Sequence, residues 1–176
     1  MYDYNDIRTL HLEITEKCNA ACPMCARNIN GGEDNPWLQN AELSLNDIVT
    51  IFPDTFIQRL NHMFMCGNYG DPIVAKDTLK VFKHFRSVNP TIYLSMNTNG
   101  SARTTYWWKE LAEVIGTDGY VIFSIDGLED TNYLYRKNTI WDKIMENAGS
   151  FIDAGGIAHW EYIVFEHNEH QVQEAK

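Results

Sequence analysis

The chain has 176 residues, a size that suits one domain, and 44% of them are hydrophobic, which is enough for a packed core. Its 14 basic and 24 acidic residues give a formal net charge of −10. This balance argues against a nucleic-acid-binding surface, which needs clustered basic residues, and against binding to an anionic membrane. The chain starts with polar and acidic residues and has no run of 18 apolar residues. We therefore expect a cytoplasmic protein without a signal peptide or a membrane span.

The first predicted strand covers residues 8–15, where apolar and polar side chains alternate. Three cysteines follow it directly in the stretch Cys18-Asn-Ala-Ala-Cys22-Pro-Met-Cys25. Thiolates at this spacing form a soft, anionic ligand set that suits zinc or an iron–sulfur cluster. Structural zinc usually takes four ligands, whereas three cysteines on a four-iron cluster leave one iron without a protein ligand. In a reducing cytoplasm we expect these cysteines to bind metal rather than to form disulfides.

A second buried strand is predicted over residues 61–66, and Gly67-Asn-Tyr-Gly-Asp-Pro72 follows it at once. Two glycines at the end of a strand let the backbone approach a ligand closely or turn sharply. An acidic residue beside exposed backbone groups can hold an ammonium group. The alternative is a plain turn from strand to helix. Cys66, which ends this strand, is interpreted as a small buried hydrophobic residue rather than as a fourth metal ligand.

The middle of the chain continues to alternate between helix and strand. Helical periodicity predicts helices over residues 77–88 and about 105–115. Between them lies a third strand over residues 92–96, which ends in Asn97-Thr-Asn-Gly100. Residues 120–125 are an almost continuous apolar run, as expected of a strand that is buried on both faces of a parallel sheet.

The fourth strand ends in Ser124-Ile-Asp-Gly127, and Arg136 lies some ten residues further on. The clearest amphipathic helix in the chain covers residues 140–152. A fifth strand is predicted over residues 160–165, and a last helix is predicted to start at His167. Five strands that alternate with helices predict an α/β fold with a parallel sheet.

The cysteine spacing is the signature of the radical S-adenosylmethionine (SAM) superfamily, which the sequence resembles over nearly its whole length. Gly67-Asn-Tyr-Gly-Asp-Pro72 stands where that family usually has Gly-Gly-Glu-Pro, and Asn97-Thr-Asn-Gly100 is similar to its Thr-Asn-Gly at the third strand. Ser124-Ile-Asp-Gly127 followed by Arg136 is similar to members of the SPASM/twitch type. The resemblance implies a partial (β/α)6 barrel of the TIM type. Here it would be incomplete, with five βα units in one radical SAM core domain over residues 1–176 and no separate SPASM or twitch domain.

The resemblance also implies the roles of individual residues. A [4Fe–4S] cluster would be bound by Cys18, Cys22 and Cys25. The amino group of SAM would be held by the glycine-containing loop, that is, by Gly67, Asn68, Tyr69, Gly70 and Asp71. The ribose and carboxylate of SAM would be contacted by Asn97, Asn99, Ser124, Asp126 and Arg136. The adenine would pack near Val164.

A chain of this family is expected to be an enzyme. The cluster would cleave SAM reductively to a 5′-deoxyadenosyl radical, which takes a hydrogen atom from a peptide or small-molecule substrate. An electron donor such as flavodoxin or ferredoxin would be its partner. Two other interpretations stay open at this point. One is a non-catalytic binding module stabilised by zinc or a cluster, and the other is a SAM-binding remnant without turnover.

Overall fold

The computed structural model describes residues 3–176, and within them five parallel strands form one sheet in the order β1-β2-β3-β4-β5. The strands are β1 (Thr9–Leu12), β2 (His62–Met65), β3 (Tyr93–Thr98), β4 (Gly119–Ser124) and β5 (Ala158–Glu161). The helices are α1 (Leu45–Ile51), α2 (Asp54–Ile57), α3 (Thr78–Val88), α4 (Thr105–Ile115), α5 (Asn132–Tyr135) and α6 (Trp141–Asp153). Short 3₁₀ turns lie at Tyr4–Asp6 and Glu169–Gln171.

Each strand pairs with the next one along the chain, and helices lie between them from β1 to β5. The carboxyl ends of all five strands therefore lie along one edge of the sheet. β1 and β5 are the outer strands, so the sheet is not closed. This is the predicted α/β architecture, an open part of a TIM-type barrel with five strands.

One face of the sheet forms the hydrophobic core together with α3, α4 and α6. Met63, Leu94 and Val121 are fully buried on this face, as are Trp108 of α4 and Phe151 of α6. The ring of Trp108 packs edge-on against Phe151 with the ring centres 6.2 Å apart. Burying a side chain of this size stabilises the fold by roughly 1.5–3 kcal/mol. The predicted helices over residues 77–88, about 105–115 and 140–152 are confirmed to within one residue at each end.

The opposite face of the sheet is only partly covered. The strand register places on it a row of polar and aromatic side chains: His11, His62, Phe64, Tyr93, Ser95, Tyr120, Ile122 and His159. The prediction that β4 is buried on both faces is therefore wrong, because Tyr120 and Ile122 are half-buried while their neighbours Val121 and Phe123 are buried. The helices α3, α4 and α6 pack on the core face, so the other face keeps the alternation of a half-covered sheet.

The end of the chain differs from its prediction. β5 begins two residues earlier than expected and ends at Glu161, so Ile163 and Val164 lie beyond the strand and are 43% and 56% exposed. The amide of Ile163 donates instead to the Asp126 carboxylate at 2.6 Å. The predicted helix from His167 is only the turn Glu169–Gln171, because buried Gln171 bonds to the loop that follows β4.

In the part of the chain that the structure describes, no helix has both the length and the apolar character needed to span a membrane.

Candidate functional site

A cavity of about 210 Å³ opens at the carboxyl ends of the strands. It brings together eleven of the predicted site residues: Cys18, Cys22, Cys25, Gly67, Tyr69, Gly70, Asp71, Asn97, Asn99, Ser124 and Arg136. These residues come from the loop after β1, the loop after β2, the ends of β3 and β4, and the segment after α5. Carboxyl ends of parallel strands are where barrels of this type place their chemistry.

The cysteine loop is held in a fixed shape by its own backbone and by its neighbours. The amide of Cys25 donates to the carbonyl of Cys22 at 3.0 Å, which closes a tight turn between these two cysteines. Ala21 is tied by its amide to the carbonyl of Lys137 at 3.0 Å. Buried Arg27, just after the loop, donates to the Asp34 carboxylate at 2.5 Å and to the carbonyl of Glu16. The three thiols are therefore presented by a rigid loop.

All three thiols are free, and two of them have perturbed acidity. Burial raises the pKa of Cys18 to about 12, and Asp71 nearby acts in the same direction. Burial also raises the pKa of Cys22, while the guanidinium of Arg136 opposes that shift. Metal ions bind cysteine as the thiolate, so metal binding at this site has to displace these protons.

The number of cysteine ligands bears on which metal group this site fits. A single zinc ion needs its ligand atoms to converge at about 2.3 Å from one point. Among residues 3–176, no three His, Cys, Asp or Glu side chains are placed so that they could hold one metal ion. A four-iron cluster takes each thiolate at a different corner, so its ligands stand further apart. Cys18, Cys22 and Cys25 line one cavity, and three thiolates are a donor set that fits such a cluster with one iron left without a protein ligand.

The glycine-containing loop after β2 packs directly on the start of the cysteine loop. A Cβ on Gly70 would overlap the carbonyl oxygen of Thr15, and a Cβ on Gly67 would overlap the carbonyl of Gly70. The amide of Asp71 also donates to the carbonyl of Lys17 at 2.9 Å. Only glycine fits at these two positions, and backbone therefore lines this wall of the cavity.

Asp71 uses its carboxylate within the protein. It is buried and accepts from the amide of Ile73, the hydroxyl of Thr98, and both the backbone amide and the side-chain amide of Asn99. Burial raises the pKa of Asp71, and the hydrogen bonds from these donors act against that shift. The carboxylate thus joins the loop after β2 to the end of β3.

Three of the predicted residues do not line the cavity. Asn68 turns away, because its backbone amide and side-chain amide both donate to the carboxylate of Glu13. Asp126 is completely buried, and its carboxylate forms an ion pair with Arg136 at 2.5 Å. Val164 lies beyond the end of β5, where its side chain is mostly exposed. Asp126 therefore lies behind Arg136 rather than in the cavity lining, and its contact with ribose stays a prediction.

The cavity also contains residues that sequence reasoning missed: Ala20, Cys66, Thr98, Tyr135 and Glu161. The interpretation of Cys66 as a buried hydrophobic residue is wrong, because it is only half-buried and lines the cavity. Glu161 ends β5, and the register pairs it with Ser124, so both point to the same face of the sheet. If the sequence had predicted the end of β5 correctly at Glu161, this residue would have been recognised as a cavity residue. Tyr135 gave no signal in the sequence, because it reaches the cavity from a one-turn helix.

The sequence profile of the radical SAM superfamily matches residues 12–175. The chain belongs to the radical SAM superfamily. Membership implies a [4Fe–4S] cluster and SAM as cofactors, and the donor set described above fits that cluster.

A curated relative is the tungsten-containing aldehyde ferredoxin oxidoreductase cofactor-modifying protein of Pyrococcus furiosus. It is 30% identical over 122 residues, which are 69% of this chain and 32% of the relative.

Two solved structures share the fold of this chain. One is Streptococcus suis SuiB bound to the precursor peptide SuiA, with a TM-score of 0.70, 15% identity, and coverage of 95% of this chain and 35% of that chain. The other is anSMEcpe with bound AdoMet, with a TM-score of 0.71, 20% identity, and coverage of 94% and 44%. The chain thus spans about a third of its curated relative and less than half of these two structures.

Proposed function

We propose that residues 1–176 form the core domain of a radical SAM enzyme, in which Cys18, Cys22 and Cys25 bind a [4Fe–4S] cluster. The observation that carries this proposal is that all three cysteines line one cavity together with the glycine-containing loop after β2. When bound, the cluster and SAM supply an electron and a 5′-deoxyadenosyl radical, which takes hydrogen from a substrate. The chain's own residues bind and orient both groups and shield them from water.

The cavity residues suggest how SAM is held. The Asp71 carboxylate already accepts hydrogen bonds within the protein. The SAM amino group would therefore bind to backbone groups of the loop from Gly67 to Gly70. Asn97 and Ser124 lie on the open face at the ends of β3 and β4, where their side chains suit the hydroxyl groups of ribose. Val164 lies outside the cavity lining, and a contact with adenine there requires that SAM extend past β5.

The substrate and partners are proposed by analogy with the structural neighbours. SuiB is described as bound to a precursor peptide, which favours a peptide substrate for this chain as well, with a small molecule as the other candidate. An electron donor such as flavodoxin or ferredoxin would deliver the electron. Free, unpaired cysteines fit a reducing, cytoplasmic location. The net charge of −10 makes nucleic acid and anionic membranes poor partners.

The first experiment is anaerobic assembly of the cluster from iron and sulfide, followed by reduction with dithionite in the presence of SAM. We expect about four iron atoms per chain for a four-iron cluster and formation of 5′-deoxyadenosine. Cys22→Ala should lose the intact cluster and the product, because one corner of the cluster loses its ligand. Cys66→Ala is the matched control, since it removes a cysteine of the same cavity that the proposal does not use, and its iron content should stay unchanged.

The possible results separate the interpretations. A full cluster and product formation in Cys22→Ala would contradict the proposal. A cluster that binds SAM but yields no 5′-deoxyadenosine would instead indicate a remnant without turnover. Stoichiometric zinc with no cluster would indicate a structural metal module.

A further inference from the structure

Two side chains at the rim of the cavity donate hydrogen bonds to cysteine sulfurs rather than pointing into open space. The side-chain amide of Asn99, at the end of β3, lies 3.8 Å from the sulfur of Cys18. The Nη1 group of Arg136, just after α5, lies 3.8 Å from the sulfur of Cys22. N–H groups that donate to cysteine sulfurs are one of the means by which proteins set the reduction potential of an iron–sulfur cluster.

Each of these donors is held in place by a buried aspartate. Asp71, only 6% exposed, accepts from the side-chain amide of Asn99 at 2.7 Å and from its backbone amide at 2.8 Å. Asn99 also exchanges hydrogen bonds with Asn19, the residue that follows Cys18 in the cysteine loop. The two N–H hydrogens of the Asn99 amide are thus shared among the Asp71 carboxylate, the Asn19 side-chain oxygen and the Cys18 sulfur, and the contact with the sulfur is the longest of the three.

Arg136 is likewise held in place by a buried aspartate, and its side chain carries a positive charge. The Nε group donates to Asp126 at 2.5 Å, and the Asp126 side chain is 0% exposed. The other oxygen of Asp126 accepts from the amide of Ile163, and buried Asn168 donates to the Asp126 carbonyl. Asp126 is thus anchored by the segment that follows β5. An ion pair this well buried holds its guanidinium in one orientation.

We propose that Arg136 and Asn99 raise the reduction potential of the cluster through Cys22 and Cys18, and that Asp126 and Asp71 are the positioning residues that aim them. The inference rests on the proposed function, since it needs a cluster on these cysteines. Reduction adds one negative charge to the cluster. Donors aimed at its ligands stabilise that charged form more than the oxidised one, and a cation does so most strongly.

The test is a redox titration of the assembled cluster, followed by electron paramagnetic resonance and carried out without SAM. Leaving SAM out separates this role from any contact of Arg136 with SAM. In Arg136→Met, the ratio of reduced to oxidised cluster at a fixed solution potential should fall about tenfold, which is about 59 mV for a one-electron couple. In Asn99→Leu the ratio should fall by no more than about threefold, because a neutral hydrogen bond is about half as strong as a charge-assisted one and the Asn99 amide shares its two hydrogens with Asp71 and Asn19.

Two further variants guard against misfolding. Arg136→Met alone leaves Asp126 buried without its cationic partner, which destabilises the fold unless the carboxylate takes up a proton. The double variant R136M/D126N removes both charges and the N–H donor to Cys22, and its potential should also lie below that of the unmodified protein. Arg136→Lys keeps the positive charge and should restore most of the potential.

Lys83→Met is the matched control. It breaks the ion pair between Lys83 of α3 and Glu110 of α4, outside the cavity lining, and also removes one positive charge. The reduction potential of the cluster in Lys83→Met should equal that in the unmodified protein. A normal potential in both Arg136→Met and R136M/D126N would overturn the inference while leaving the proposed function intact. Failure of the unmodified chain to assemble any cluster would overturn the proposed function, and this inference with it.

Discussion

His62 shows how the open face of the sheet perturbs a single residue. Its ring lies on that face at the start of β2, where Nε2 is 2.8 Å from the hydroxyl of Ser95. The ring stacks on Phe64 at 5.3 Å and meets Tyr93 edge-on at 5.5 Å. Burial lowers the pKa of His62, because these neighbours remove water that would stabilise the charged ring.

The lowered pKa of His62 predicts a pH dependence of stability. Below the pKa of an unfolded histidine, about 6.5, the unfolded chain takes up a proton that the folded chain resists, so this contribution is lost as the pH falls. His62→Gln should flatten the fall in unfolding free energy between about pH 6.5 and 5. The contribution of His62 to the slope of unfolding free energy against pH should stay well below the limit of about 1.4 kcal/mol per pH unit, because the ring is only partly buried.

Urea denaturation of the metal-free protein at several pH values measures this effect. His170→Gln is the control, because His170 is exposed in the turn at the end of the chain. Identical slopes for His62→Gln and the unmodified protein would show that this histidine does not contribute.

The loop between β2 and α3 shows how one element positions another. Its backbone touches the start of the cysteine loop at Gly70, and a Cβ at that position would overlap the carbonyl of Thr15. We expect Gly70→Ala to push the two loops apart, to destabilise the metal-free protein by about 1–3 kcal/mol, and to lower its iron content after assembly.

The glycine in the middle of α6 offers a matched control for this substitution. A Cβ on Gly149 meets nothing within 4 Å. Gly149→Ala should therefore stabilise the helix by about 0.5–1 kcal/mol and leave the iron content unchanged. If Gly70→Ala retained full stability and iron content, the close packing of the two loops would not be needed for the site.

The sequence predicted the order of strands and helices because hydrophobic periodicity reports burial on one face directly, as for α3 and α4. It predicted the cysteine loop because the spacing of its ligands is a local property. The resemblance grouped Asp126 with the residues that contact SAM, but that aspartate is buried against Arg136. Which of two neighbouring polar groups faces a ligand depends on tertiary contacts that a pattern does not contain.

The end of β5 could not be predicted for a similar reason. Ile163 to Phe165 continue the apolar pattern of a strand, but the loop after β4 takes up the amide of Ile163 through Asp126. A hydrogen bond to another part of the chain thus ends the strand at Glu161. An edge strand is hydrogen-bonded to only one neighbouring strand. Tertiary contacts can therefore override its local β-propensity.

At the scale of the whole molecule, the site is lined by residues from most of the length of the chain, from Cys18 to Glu161. Its walls come from the loops after β1, β2, β3 and β4 and from the last residue of β5, so a group bound there links segments that are far apart in sequence. Because such a site exists only in the folded chain, binding free energy adds to folding free energy. A group present at a hundred times its dissociation constant adds about 2.7 kcal/mol, which is about 5–10 °C in Tm for a chain of this size.

We therefore expect anaerobic cluster assembly to raise the Tm by about this amount, and removal of iron with a chelator to reverse the rise. Cluster assembly should raise the Tm of Cys25→Ala only slightly, because this variant lacks one of the three proposed cysteine ligands. SAM should raise the Tm further only when the cluster is present, since the cluster would supply part of the SAM-binding site. An equal rise with zinc alone, or a SAM effect that persists in Cys25→Ala, would contradict a cluster that joins these loops.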